Sequence, residues 1–93
     1  MIVIAKLKAQ VGKEPEMEKA LREMILKVEK EEGTLTYTLH LSQNDPTLFL
    51  LYEKYQDKAA FEAHSSTPYF KELFATIGPL FAAEPVIEMP STL

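Results

Sequence analysis

Apolar and polar residues alternate along two stretches of the chain, which is the pattern of half-buried β-strands. Ile2–Val11 has apolar residues at every odd position, and Thr34–Ser42 alternates throughout. Thr47–Tyr55 is apolar on both faces, and the Asn-Asp-Pro turn at 44–46 before it predicts a hairpin with the preceding strand. Pro85–Met89 predicts a short strand that its flanking prolines place at a sheet edge.

Two segments follow the helical period instead. Pro15–Glu32 carries an apolar stripe at i, i+3, i+4, i+7, i+8 and i+11, made of Met17, Ala20, Leu21, Met24, Ile25 and Val28. Gly33 is predicted to end this helix in the left-handed conformation. Lys58 to Phe81 predicts a second helix that Asp57 caps and that breaks at Pro68 and again at Gly78-Pro79.

The resulting order βαββαβ predicts an α+β, ferredoxin-like fold, with residues 1–93 as one domain and both helices on one face of a four-stranded antiparallel sheet. The opposite sheet face then carries an apolar patch, made of Ile2, Ile4, Leu48, Leu50 and Tyr52. Soluble monomers rarely expose such a patch, so we expect a homodimer joined through this open face. A C-terminal tail folded over the patch is the alternative.

Composition narrows the classes of function. The net charge of −4 argues against nucleic-acid binding, and the chain contains no cysteine for disulfides, thiolate zinc sites or iron–sulfur clusters. No apolar run reaches the length of a membrane span, and the first residues do not follow the pattern of a signal peptide. We therefore expect a cytoplasmic protein without nucleic-acid or membrane partners.

Strand parity places three polar side chains, those of Tyr37, Glu53 and Tyr55, on the apolar face that the helices cover, together with Leu7, Leu35, Leu39, Phe49 and Leu51. A carboxylate there must be paired, hydrogen-bonded or protonated with a raised pKa. The alternative is that Glu53 reaches water or caps a helix at the strand end.

Histidine supplies the candidate for proton transfer. His64 lies three residues after Phe61 and can point toward the sheet, where a carboxylate of Glu53 could fix its tautomer. The alternative for His64 is a hydrogen bond to a carbonyl at the helix end. His40 falls on the polar face of its strand and is predicted to be structural or interfacial.

Aromatic residues cluster along the broken second helix: Tyr69, Phe70, Phe74 and Phe81. The i,i+4 spacing of Phe70 and Phe74 suits either a core face or the wall of a pocket for a flat ring. Because there is no glycine-rich phosphate loop and no cluster with metal-ligand spacing, we expect no cofactor and no metal.

Three blocks of the sequence, EGTLTY at 32–37, YEKYQDKAAF at 52–61 and AHSSTPYF at 63–70, resemble the antibiotic biosynthesis monooxygenase family in order and spacing. The resemblance implies a dimeric α+β barrel with a pocket between sheet and helices in each subunit. Tyr37, Glu53, Tyr55 and His64 fall on the family's motif positions. Many members have Trp at the position of Tyr55, and the haem-degrading members use an Asn where Leu7 aligns, so haem degradation is not expected here.

The resemblance also implies a chemistry. Members that act as monooxygenases use neither flavin nor metal, because a deprotonated hydroquinone or anthrone can itself reduce oxygen. By this analogy His64 accepts the proton, Glu53 stabilises the imidazolium, and Tyr37 and Tyr55 bind substrate oxygens. Further candidate contacts to the small aromatic substrate are Phe70, Phe74 and Leu7.

Two other functions fit the same residues. One is an isomerase that enolises a small signal or a phosphorylated, sugar-like compound in the same pocket. The other is a non-enzymatic dimer that binds an aromatic ligand. Activity without oxygen would indicate the isomerase, and tight binding without turnover would indicate the binding protein.

Overall fold

A four-stranded antiparallel sheet with its helices on one face forms the framework, as seen in a computed structural model that describes all 93 residues. The elements in chain order are β1 (Ile2–Lys8), α1 (Glu14–Val28), β2 (Thr34–Leu41), β3 (Leu48–Tyr55), α2 (Lys58–Ser65), α3 (Pro68–Ile77), a 3₁₀ turn (Gly78–Leu80) and β4 (Val86–Glu88). The strand order is β2-β3-β1-β4. The predicted ferredoxin-like α+β fold is confirmed. None of the helices has the length and apolar character needed to cross a membrane.

The second helical segment breaks where the sequence predicts. The Asp57 side chain caps α2 by accepting a hydrogen bond from the backbone N–H of Ala60 at 2.8 Å. Thr67 caps α3 in the same way, with Pro68 in its first turn. Gly78-Pro79 then ends α3 in a 3₁₀ turn. These breaks divide the predicted second helix into two short helices, α2 and α3.

Gly33 does not have the predicted left-handed conformation, because Gly12 is the only residue with a positive φ. Helix α1 already ends at Val28. A Cβ built on Gly33 would lie 2.4 Å from the Cβ of Ala60. Glycine is needed here because the start of β2 packs directly against α2.

The main core lies between the sheet and helices α1 and α3. Its members include Leu7, which is 0% exposed. Two strand predictions are wrong at their ends. The first strand stops at Lys8, and Val11 beyond it is 90% exposed. Leu35 is 56% exposed rather than buried, because the pairing of β2 with β3 shifts register between Thr34 and Thr36.

The open sheet face carries the predicted apolar patch. The strand register places Ile4 beside Tyr52, while Leu48 and Leu50 continue the same face. These four side chains, and that of Ile2 at the end of β1, are all at least partly accessible in the single chain. Residues 89–93 are exposed. Residues 89–92 border Ile2 at one end of the patch but not its other members, so the tail does not fold over the patch as a whole.

Candidate active site

An apolar cavity of about 260 Å³ lies between the sheet and helices α2 and α3. Its lining comes from all four strands, the two helices and the residue that precedes β4: Val3, Ala5, Tyr37, Leu51, Glu53, Phe61, His64, Phe70, Leu73, Phe74, Pro85 and Ile87. Only Tyr37, Glu53 and His64 in this set carry polar side-chain groups. The cavity is therefore mainly apolar, with three side chains that can form hydrogen bonds or exchange a proton.

His64 is buried at the end of α2, with 2% of its surface exposed. Its ring lies among aromatic rings, with centroid distances of 5.5 Å to Tyr37, 5.4 Å to Tyr55 and 5.4 Å to Phe70. Burial lowers the pKa of His64 and outweighs the opposing effect of the nearby Glu31 carboxylate. The imidazole is accordingly neutral at pH 7, the state in which it can accept a proton.

The two ring nitrogens of His64 have different surroundings. Nδ1 lies 3.0 and 3.2 Å from the carboxylate oxygens of Glu31. Nε2 makes no hydrogen bond within the chain. Because every fully buried side-chain nitrogen and oxygen in the structure has a hydrogen-bond partner, Nε2 is not fully buried. Nε2 must therefore contact free space, and the space that His64 lines is the cavity.

The prediction that Glu53 is the partner of His64 is wrong, because His64 is bonded to Glu31. The Oε1 of Glu53 accepts a hydrogen bond of 2.5 Å from the Tyr55 hydroxyl. The predicted buried carboxyl with a raised pKa is present: burial raises the pKa of Glu53 to about 7, opposed by the Tyr55 hydrogen bond and aided by the charge of Glu31. At neutral pH this group is divided between its acid and its carboxylate forms.

The tyrosines occupy different places. Tyr37 lines the cavity, and burial together with the Glu53 charge raises its pKa, so that its hydroxyl stays protonated and can donate. Tyr55 is 1% exposed and does not line the cavity. Its hydroxyl donates to Glu53. This placement favours a role in holding the Glu53 carboxyl over the predicted contact with substrate.

The remaining candidates separate in the same way. Phe70 and Phe74 line the cavity and also pack against the core, so both interpretations of their spacing hold. Leu7 belongs to the core and is not part of the cavity lining. His40 is exposed and lies 2.9 Å from the Thr38 hydroxyl, in keeping with a structural role.

Sequence reasoning missed Glu31. It lies in the turn after α1, within the charged run Glu-Lys-Glu-Glu at 29–32, which reads as an ordinary solvated helix end. Its side chain is only 15% exposed and also accepts hydrogen bonds from Thr34 and Tyr69. No local signal in the sequence separates Glu31 from its neighbours, because its partners lie on β2, α2 and α3.

The charges around the cavity are one-sided. Glu53 lies in its lining and Glu31 behind His64, whereas no lysine or arginine lines it. No group of three or more His, Cys, Asp or Glu side chains is arranged to hold a metal ion. The polar groups at this cavity are therefore acidic, neutral or weakly basic, with no permanent positive charge among them.

The comparison with known proteins decides the family. The family model described as antibiotic biosynthesis monooxygenase matches residues 1–76. The chain belongs to the antibiotic biosynthesis monooxygenase family. The resemblance inferred from the three sequence blocks is thereby confirmed.

Solved structures agree with this family assignment. A Caulobacter crescentus protein, provisionally named an antibiotic biosynthesis monooxygenase, is 38% identical over 94% of this chain and 83% of its own, with a TM-score of 0.90. A Pseudomonas aeruginosa protein is 29% identical over 99% of this chain and 92% of its own, with a TM-score of 0.90. A Nitrosomonas europaea protein, 23% identical over 99% and 88% of the two chains with a TM-score of 0.94, shows the same fold.

The raised pKa of Glu53 predicts a pH effect on the stability of this family member. Glu53 stays protonated in the folded protein up to about pH 7, whereas it ionises near 4.5 in the unfolded chain. Its contribution to stability is therefore lost as the pH rises from about 4.5 through 7. The loss should amount to about 1–3 kcal/mol.

Glu53→Gln, which stays neutral and can still accept the Tyr55 hydrogen bond, should not show this loss. Urea unfolding of both proteins at pH 4.5, 6 and 8 would measure it, with the variant gaining on the wild type at each step. All other titrating groups are common to both proteins and cancel in the difference. Parallel pH profiles would contradict the prediction.

Proposed function

We propose that this protein is a monooxygenase that oxidises a small, electron-rich aromatic compound, hydroquinone-like or anthrone-like, with molecular oxygen and without flavin or metal. The observation that carries the proposal is a buried His64 on the lining of an apolar cavity, with Nδ1 bonded to Glu31 and no partner within the chain for Nε2. A base held in a dry site of this kind is what such chemistry requires of the protein.

The reaction begins with transfer of the substrate's hydroxyl or benzylic proton to His64 Nε2. The resulting anion is electron-rich enough to reduce oxygen. One oxygen atom forms a bond to a ring carbon and the other leaves as water, with the four electrons supplied by the substrate. A hydroquinone thus gives a hydroxyquinone and water, and the proton held by His64 returns to the departing oxygen.

The cavity suits such a substrate in size and lining. An engineered cavity of about 150 Å³ in another protein holds benzene, so the 260 Å³ here accommodates a larger aromatic ring system or a substituted ring. Phe61, Phe70 and Phe74 offer ring faces and edges to it. Tyr37 and Glu53 also line the cavity, and in this proposal they supply the hydrogen bonds to the substrate oxygens.

The same lining argues against the phosphorylated substrate of the isomerase alternative. A phosphate carries close to two negative charges and is normally bound by arginine, lysine or helix N-termini. No cationic side chain lines this cavity, and Glu53 would repel the anion.

An oxygen electrode tests the proposal directly. Protein stripped with a chelator and free of flavin should consume oxygen when given hydroquinones or anthrones, in proportion to product formed. Ligand binding without oxygen uptake across the panel would instead support a binding protein. Product formation under strict anaerobiosis would support an isomerase.

We further propose that two copies of the chain associate through the open sheet face, since members of this family are generally dimeric. The patch of Ile2, Ile4, Leu48, Leu50 and Tyr52 is apolar and stays at least partly accessible in the single chain. At about 25 cal/mol per Å² of apolar area, covering it stabilises the pair by several kcal/mol.

Leu50→Glu should therefore convert the dimer to a monomer. Sedimentation equilibrium should give twice the 10.6 kDa chain mass for the wild type and the single mass for the variant. Leu26→Glu, at a 64% exposed position of α1, serves as the control and should leave the dimer intact. A monomeric wild type, or a dimeric Leu50→Glu, would rule out this interface.

A further inference from the structure

We propose that Glu31 is a positioning residue that holds the His64 imidazole in the tautomer and orientation needed for Nε2 to act as a base. The effect on turnover rests on the function proposed above, whereas the effect on the imidazole itself does not.

Glu31 is held in place by partners from three elements. Its Oε1 accepts a 2.7 Å hydrogen bond from the Thr34 hydroxyl at the start of β2. Its Oε2 accepts a hydrogen bond from the Tyr69 hydroxyl on α3. Both oxygens lie within hydrogen-bond distance of His64 Nδ1 on α2. A carboxylate tied to β2 and α3 in this way gives His64 a fixed acceptor.

The acceptor decides which nitrogen carries the hydrogen. An ionised carboxylate accepts but cannot donate, so a neutral imidazole bonded to it must have its hydrogen on Nδ1. Nε2 then carries the lone pair, and Nε2 is the nitrogen that faces the cavity. With Nδ1 as the donor to Glu31 and Nε2 as the acceptor, the imidazole can take a substrate proton without rotation of the ring.

Glu31 also supplies a charge where the reaction needs one. Once Nε2 takes a proton, the imidazolium is stabilised by the Glu31 carboxylate 3.0 Å from Nδ1. The Glu31 side chain is 15% exposed against 1% for that of His64, so the pair spans from the edge of solvent to the buried cavity. Glu53, the carboxyl on the cavity side, is already bonded to Tyr55.

Nitrogen-15 NMR reports the tautomer of the His64 ring, which would not change if Glu31 had only a structural role. The variant His40→Ala identifies the signals of the other histidine. The wild type should show a single Nδ1–H tautomer at pH 7.5. Glu31→Ala should show a mixture of tautomers. Glu31→Gln, whose amide oxygen can still accept from Nδ1, should keep the tautomer but titrate His64 at a lower pH than the wild type. Glu32→Gln, an exposed neighbour without a hydrogen bond, should match the wild type.

In the oxygen assay, Glu31→Ala should lower kcat about tenfold or more and change KM less than about twofold, because Glu31 does not line the cavity. An unchanged tautomer in Glu31→Ala, or an unchanged His64 titration in Glu31→Gln, would overturn the role. If the alanine variant fails to fold, the Glu31→Gln titration alone decides. If the wild type turns over no substrate, the NMR result still stands, so failure of the proposed function is separable.

Discussion

His64→Ala is expected to consume oxygen at least about tenfold more slowly than the wild type with a hydroquinone substrate, because it removes the only imidazole that lines the cavity. Loss of a positioned base typically costs a factor of about 10²–10⁴. Part of that loss should be recovered at alkaline pH, where the substrate ionises in solution. Initial rates in an oxygen electrode between pH 7 and 10 would measure both effects.

Two variants make the result specific. His40→Ala removes the other histidine, which is exposed and bonded only to Thr38, and should leave the rate unchanged. His64→Gln keeps much of the side-chain volume, so it separates the lost base from a packing defect in α2. A His64→Ala protein that is folded and turns over at the wild-type rate would reject the proposed base.

Leu7→Ala is expected to lower the free energy of unfolding by about 2–5 kcal/mol. Leu7 is 0% exposed and belongs to the core between β1 and the helices, so the truncation leaves a void that close-packed neighbours fill only in part. Urea unfolding followed by circular dichroism would give the value. Leu35→Ala, at a 56% exposed position, should stay within about 0.5 kcal/mol of the wild type.

This experiment also separates the two roles assigned to position 7. If Leu7 contacts the substrate, its truncation should raise KM in the folded protein while costing little stability. The structure predicts the opposite: a large loss of stability, with KM unchanged for the folded fraction. A small stability change with a raised KM would return Leu7 to the binding site.

Most of the fold could be predicted from the sequence, because each helix or strand has a pattern within its own residues. The stripe of α1, the alternation on β1 and β2 and the capping residue Asp57 each act within a few residues of where they lie. The breaks at Pro68 and Gly78 are equally local, because they arise from proline and glycine backbone chemistry.

What the sequence could not show depends on contacts between distant segments. Leu35 looked buried by parity, but the register shift beside it turns it outward. The need for glycine at position 33 comes from Ala60, on another element. In the same way, the partner of His64 depends on contacts between α2 and the turn after α1. The strand pattern alone therefore points to Glu53 and not to Glu31.

The short last strand has a consequence for how molecules exchange with the chamber. β4 is joined to β1 by three residue pairs, and all three of its residues are exposed, yet the adjoining Pro85 and its own Ile87 close one side of the enclosure. Segments with so few interactions detach at a small fraction of the free energy of global unfolding. For the reaction proposed above, transient fraying of this carboxyl-terminal edge offers a route by which substrate, oxygen and product can pass without unfolding of the core.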